Sequence, residues 1–227
     1  MRVLIICDDY WHPGQVIIDG TAPLTQQGFQ FNVITNANDL SPDMLKEYPA
    51  ILLAKSDDVS QTERQPWKTQ EIQKAFVDYV EGGGGLLVIH SGTVCGKNTE
   101  TLDNLIGCRF IGHPNNCPVT VQPIRKHPVT EGVGMFCEVD EHYMIEVTAQ
   151  NAEILIASYS PAQGEESKRE EDPYHNTQAA IYPCGYVRTQ GKGRVCVLTP
   201  GHLLPVWLDP QFQKTLTNAL GWCAGQQ

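Results

Sequence analysis

The sequence predicts an α/β protein in which a single doubly wound, mostly parallel sheet is flanked by helices and the second half is rich in strands. Three observations carry this. Short apolar runs (VLIIC at 3–7, AILLA at 50–54, LLVI at 86–89) mark strands buried on both faces, as in a parallel sheet covered by helices. The segments between them carry helical spacing, clearest from Trp67 to Glu81, where apolar residues at 72, 75, 76, 79 and 80 line one face. After residue 119 the pattern turns to closely spaced strands.

Taken in order, Arg2 to Cys7 is the first strand. A polar loop holding Trp11, His12 and Pro13 leads to a helix from about Val16 to Gln27, which Gly28 terminates. Phe29 to Thr35 alternates and forms the second strand. Leu40 to Tyr48 is a short helix opened by Ser41 and Pro42, a favourable start. The strand at 50–54, the helix ending at Glu81 and the strand at 86–89 follow. The second half supplies strands at 119–124, 136–147, 154–159, 179–187 and 195–199, then a final helix from about Asp209 to Cys223. Neither an internal repeat nor a linker separates two cores, so residues 1–227 are expected to form one domain. A charged stretch at about 161–176 reads as a surface loop.

A net charge of −10 argues against nucleic acid and anionic membrane surfaces as partners. No run approaches the roughly 18 apolar residues of a membrane span. The eight cysteines include no CxxC pair, and several sit in apolar strands as small hydrophobes, which points to a reducing, cytoplasmic setting. Homo-oligomers are compatible with these totals.

Glycine-rich stretches invite a phosphate-loop reading, but such loops follow a strand and open a helix. Gly82 to Gly85 ends a helix and precedes a strand, and Gly191-Lys192-Gly193-Arg194 also precedes a strand. Both are read as turns, and no nucleotide is expected. His90 is another matter. It ends a buried central strand, where ligands of open α/β sheets bind, at a place resembling a nucleophile elbow. His12 and His202 follow other strands onto the same expected edge, and His113 lies in the connection beyond His90. Imidazoles converging there suit a divalent metal, zinc or manganese, or a polar substrate.

In Glu138-Val139-Asp140-Glu141-His142-Tyr143, alternation places Glu138, Asp140 and His142 on one face and Val139, Glu141 and Tyr143 on the other. Acidic groups beside an aromatic suit sugar binding or acid–base chemistry; a solvated edge strand is the plainer reading. His127 looks like a turn residue and His175 flanks the charged stretch. No G-x-S-x-G occurs, and Cys95 lies beyond the elbow position, so a serine or cysteine nucleophile has little support.

Several of these stretches together resemble the trehalose-utilisation, or ThuA-like, family. They are GGLLVIHSG around His90, His127-Pro128 with the VTEGV that follows, Asp140-Glu141-x-Tyr143, GKGRV at 191–195, Gly201-His202, and His12. The resemblance implies a flavodoxin-like, class I glutamine amidotransferase-like fold. It also implies a relative in which His90 stands where an amidotransferase carries its cysteine, hence loss of glutaminase chemistry. The substrate class it implies is a disaccharide of the trehalose type or a related sugar. On this reading the cleft is lined by His12, His90, His113, Glu141 and His202. His90 and His202 are metal ligands or acid–base groups, and Glu141 is a ligand or general base. Tyr143, His12 and His113 contact substrate. A metal-dependent hydrolase, lyase or isomerase fits, as does a non-catalytic binding or assembly module that kept the fold. A flavodoxin-like nucleotide binder fits the sheet but lacks the phosphate loop.

Overall fold

The computed structural model of the chain describes residues 1–94, 96–161 and 180–226. Cys95, His175 and nearly all of the charged stretch lie outside the described residues. Strands β1 (Arg2–Cys7), β2 (Gln30–Ile34), β3 (Ala50–Ala54) and β4 (Gly85–Ile89) form where the apolar runs predict them. Helix α1 (Gly14–Thr21) continues as a 3-10 turn that Gly28 ends at φ 88°, and α2 spans Gln70–Glu81 behind a Thr69 cap. The short helix expected after Ser41 is instead a 3-10 turn, Pro42–Glu47, and the Ser41 side chain makes no cap. Six residues do not complete enough helical turns to repay nucleation.

Beyond His90 come α3 (Glu100–Ile106), β5 (Cys108–Gly112), β6 (Cys117–Pro123), β7 (Phe136–Asp140) and β8 (Met144–Val147). The chain then forms β9 (Glu153–Ser160), β10 (Ala180–Gln190), β11 (Gly193–Leu198), α4 (Leu204–Leu208) and α5 (Pro210–Cys223). Asp209 caps α5, accepting from the amides of Gln211 at 2.7 Å and Phe212 at 3.2 Å.

Nine strands make one sheet in the order β2-β1-β3-β4-β11-β10-β9-β6-β7, and β5 pairs with β8 in a second. The pairs from β2 through β11 are parallel, whereas those from β11 through β7 are antiparallel. The expectation of a mostly parallel sheet therefore holds for the first five strands and fails for the rest. The reason is local: Gln190 pairs with Gly193 across a two-residue turn, a connection that only antiparallel strands can use. A second difference concerns 136–147, read as one strand. It splits at residues 141–143, and its two parts join different sheets.

Alternation explains the core. Val3, Ile5 and Cys7 of β1, Leu87 and Ile89 of β4, and Cys196 and Leu198 of β11 enter one apolar cluster with α4 and α5. Leu4 and Ile6, Leu86 and Val88, and Val195 and Val197 enter another with α2 and α3 on the opposite face. Both faces of the parallel block are thus consumed by packing. Gly85 shows how closely α5 lies against β4: a Cβ there would fall within van der Waals contact of the Cys223 carbonyl oxygen. Among the described residues no helix is long and apolar enough to cross a membrane.

Trp207 of α4 is fully buried, packs against Gly20 of α1, and donates its indole N–H to the carbonyl of Gly201 at 2.8 Å. Trp207→Ala should cost about 3–5 kcal/mol of stability, from the lost burial and the cavity left behind. Urea denaturation checks this; a loss below about 1 kcal/mol would mean the surrounding elements close over the gap.

Candidate functional site

Strand direction decides where the candidate residues go. The parallel block points one way, and two reversals through β10 and β9, then two more through β6 and β7, return β9 and β7 to that direction. The carboxyl ends of β1, β3, β4, β11, β9 and β7 therefore share a rim. His12 follows β1 there, His90 follows β4, Glu141 follows β7, and Thr199 and His202 follow β11. This is the edge at which open α/β sheets bind ligands.

His90 occupies a sharp turn with φ 48°, a left-handed backbone that costs a residue bearing Cβ about 1–2 kcal/mol. The Thr93 hydroxyl donates to the carbonyl of His90 at 2.7 Å and holds the turn. The chain beyond passes so close to β3 that a Cβ at Gly92 would meet the Leu53 carbonyl oxygen. The imidazole is thereby lifted into the cluster. Ring centroids lie 5.0 Å apart for His12 and His90, 5.2 Å for His12 and His202, and 5.5 Å for His90 and His202.

Hydrogen bonds fix which ring nitrogens carry protons. His12 Nδ1 lies 2.7 Å from Asp9 Oδ1, and His90 Nδ1 lies 2.8 Å from the carbonyl oxygen of Thr199. A carboxylate and a carbonyl only accept, so both Nδ1 atoms donate, and in the neutral rings both Nε2 atoms carry lone pairs. The Tyr143 hydroxyl donates to His12 Nε2 at 3.2 Å. His90 Nε2 is buried without a hydrogen bond, 3.4 Å from Glu141 Oε2. His202 Nδ1 lies 3.1 Å from the same oxygen, and it too is buried and makes no aligned hydrogen bond. The other carboxylate oxygen, Glu141 Oε1, lies 3.7 Å from His113 Nδ1, which donates to Pro114 O at 2.8 Å.

Two further carboxylates hold this arrangement. Asp9 is fully buried and accepts from the amides of Trp11 and His12 and, through Oδ2, from Ser56 at 2.9 Å. Burial works against its charge, but the His12 imidazole and these amides outweigh it and keep the carboxyl well below its ordinary range. Asp140 accepts from the amides of Gly201 at 2.8 Å, His202 at 2.9 Å and Leu203 at 3.2 Å. Burial pushes its carboxyl up to about 7, against the pull of those three donors. At Glu141 burial is overcome by the facing imidazoles of His202 and His90, so its carboxyl sits far below the usual value. Burial pushes His90 down to about 4. His202 is also desolvated, yet the carboxylate of Glu141 raises it above the ordinary 6.5.

Aromatic rings close one side. Tyr143 stacks on His90 at 3.7 Å between centroids and on His113 at 5.4 Å, with Phe110 of β5 4.5 Å away.

The donor set fits a divalent cation. One ligand atom each from His12, His90, Glu141 and His202 lies within 4.8 Å of the others. The carboxylate below His12 and the carbonyl below His90 are the partners that orient metal-bound imidazoles. Above all, the bare lone pair of His90 Nε2 faces a carboxylate oxygen. Two electron pairs at that separation repel unless a positive charge lies between them.

The structure brings together the six residues singled out from sequence: His12, His90, His113, Glu141, Tyr143 and His202. It does not bring in His142, which is buried but turned to serines of β9, or His127, which caps a 3-10 turn at Pro128–Thr130. Asp140 is no solvated edge residue although β7 is the edge strand, because its side chain is buried under the loop after β11. Sequence reasoning passed over Asp9 and Thr199. The signal for Asp9 was a carboxylate three residues before His12 in a loop leaving a buried strand; the Thr199 carbonyl leaves none.

A family model described as trehalose utilisation, ThuA, matches residues 3–223. Among solved structures, a ThuA-like protein from Parabacteroides merdae superimposes with a TM-score of 0.73 at 15% identity, covering 100% of this chain and 91% of its own. One from Bacteroides uniformis gives 0.70 at 20% identity, with 98% and 91% covered. A β-galactosidase from Rahnella gives 0.62 at 17% identity, where 97% of this chain matches 30% of the longer enzyme. No curated protein matches by sequence. With the model spanning nearly the whole length, the chain belongs to the ThuA, trehalose-utilisation family.

Proposed function

We propose that this protein is a cytoplasmic enzyme of disaccharide utilisation that acts on a sugar or related polar metabolite, with a divalent ion, zinc or manganese, in the imidazole cleft. One observation carries the reading: the unprotonated Nε2 of His90 and the carboxylate of Glu141 converge, buried, with two more imidazoles on the same point. His12, His90 and His202 would hold the ion, and Glu141 would serve as fourth ligand or as the base beside it. A divalent ion there supplies Lewis acidity toward a hydroxyl or carbonyl oxygen. Hydrolase, lyase and isomerase chemistry all draw on that property.

The remaining groups have separate duties. His113 donates through Nδ1 to Pro114, which leaves the lone pair of its Nε2 to accept from a substrate hydroxyl. Tyr143 presents a stacked ring and a phenol, a combination suited to the apolar face and hydroxyls of a sugar. With an imidazole at the elbow, the chain lacks there the thiol that glutaminase chemistry requires. The seven described cysteines are all free, which supports a reducing compartment.

The β-galactosidase match shows a shared fold, and since a fold does not decide its function, a second reading takes it as a non-catalytic ligand-binding or assembly module. Purified protein with stoichiometric zinc or manganese, lost in His90→Ala and His202→Ala, supports the enzyme. Metal-free protein whose melting temperature rises with trehalose but which never converts it supports the module.

Two finer outcomes follow from the geometry. Asp9→Ala removes the acceptor that fixes the tautomer of His12, and zinc affinity in a chelator competition should fall about 10–100-fold. An unchanged affinity would remove His12 from the ligand set. Acid should release the ion in a defined order. A proton on His202 competes with the ion, and its raised pKa keeps that proton bound above the ordinary 6.5, whereas His90 stays neutral down to about 4. Affinity should therefore decline once the pH falls below the raised value of His202. Binding that stayed level down to about pH 5 would show that His202 is not a ligand.

A further inference from the structure

We propose that His142, which touches no other member of the site, is the positioning residue that fixes Glu141 and Tyr143. The inference rests on the reading of those two side chains as working groups, but not on the identity of any ion.

Residues 141–143 bridge the nine-stranded sheet and the small one, where β7 ends and β8 has not begun. Such a crossing has no strand neighbours to hold it. The amide of Tyr143 donates to the carbonyl of Glu141 at 2.9 Å, a bond between residues i+2 and i that makes a three-residue turn with His142 at its apex. The two flanking side chains share one side of this turn, where Glu141 meets His90 and His202 while Tyr143 stacks on His90. The apex side chain leaves in another direction.

His142 is 1% exposed, and both its ring nitrogens are bonded. Nδ1 lies 2.6 Å from the hydroxyl of Ser160 and Nε2 lies 2.8 Å from that of Ser158. The two serines stand two apart on β9 and so share a face, spaced to meet the two nitrogens of one rigid ring. A hydroxyl can donate or accept, so the pair satisfies a neutral imidazole in either tautomer. The ring is pinned at two points to a strand two places inward from β7. An apolar residue of equal volume would fill the space but would remove both bonds that tie the turn to β9, leaving Ser158 only its contact with the Tyr182 carbonyl. Any buried imidazole needs partners for both nitrogens; here both partners stand on a single strand, and that determines the orientation of the turn.

The test compares His142→Phe with His142→Asn, which keeps the reach to Ser160, and His142→Gln, which keeps the reach to Ser158. The double variant Ser158→Ala/Ser160→Ala leaves the imidazole but removes its anchors, and serves if the Phe variant does not fold. Two readouts are taken on full-length protein whose melting curve shows a folded state. The first is the NMR cross-peak between the Tyr143 and His90 rings, now 3.7 Å apart between centroids. The second is zinc affinity by chelator competition. We expect the cross-peak to vanish and affinity to fall about 10-fold or more in the Phe and double-serine variants, with partial rescue by Asn or Gln. A folded Phe or double-serine variant that keeps both the cross-peak and wild-type affinity overturns the proposal. If wild-type protein takes up no zinc, the metal reading fails and the cross-peak alone decides this one.

Discussion

The meeting of Glu141 with His202 at the rim depends on one buried carboxylate. Asp140, the last residue of the edge strand, collects the amides of Gly201, His202 and Leu203 from the loop after β11. In the sheet order these strands are four places apart. That anchor sets the neighbour of Asp140, Glu141, facing His202, whose Nδ1 lies 3.1 Å from its carboxylate. Desolvation is costly for a carboxylate and pushes this one up to about 7; the three amides that point at it offset that cost only in part. The loop's own amides would otherwise need other partners. Each side of the contact satisfies what the other leaves open.

The same logic runs through the cluster. Asp9 holds His12, a carbonyl holds His90, and Asp140 holds the backbone of His202. The rings of His12 and His90 are oriented from behind, and His90 and His202 each present a nitrogen toward one carboxylate, Glu141. Such orientation from behind distinguishes a built site from histidines that happen to be near each other, because it fixes tautomers as well as positions.

How much of this was legible in the sequence follows from which interactions are local. The parallel block was readable because strands buried on both faces must be apolar throughout, and β1 and β3 run over the residues where the runs place them. The rim followed from strand polarity alone, which is why His90 and His202, 112 positions apart in the chain, could be assigned to one edge. What escaped was set by tertiary contacts. No glycine or proline between residues 136 and 147 marks the break after Asp140, where the chain leaves its partner β6 and goes on to pair with β5. Helices α3 and α4 were missed because seven and five residues are too short to show a periodic face. His142 read as one more polar residue on an alternating strand, and only β9 reveals what it grips.

The division of the rim between two sheets has a mechanical side. His12, His90 and His202 ride on loops of the large sheet, whereas Phe110, His113 and Tyr143 stand on or beside the small one. The first set is braced by a core on both faces; the second stands on a two-stranded ribbon that is seated on one of those cores through Cys108 and Ile145. The imidazole cluster and its aromatic wall thus rest on different sheets, so substitution can reshape the wall without moving the imidazoles.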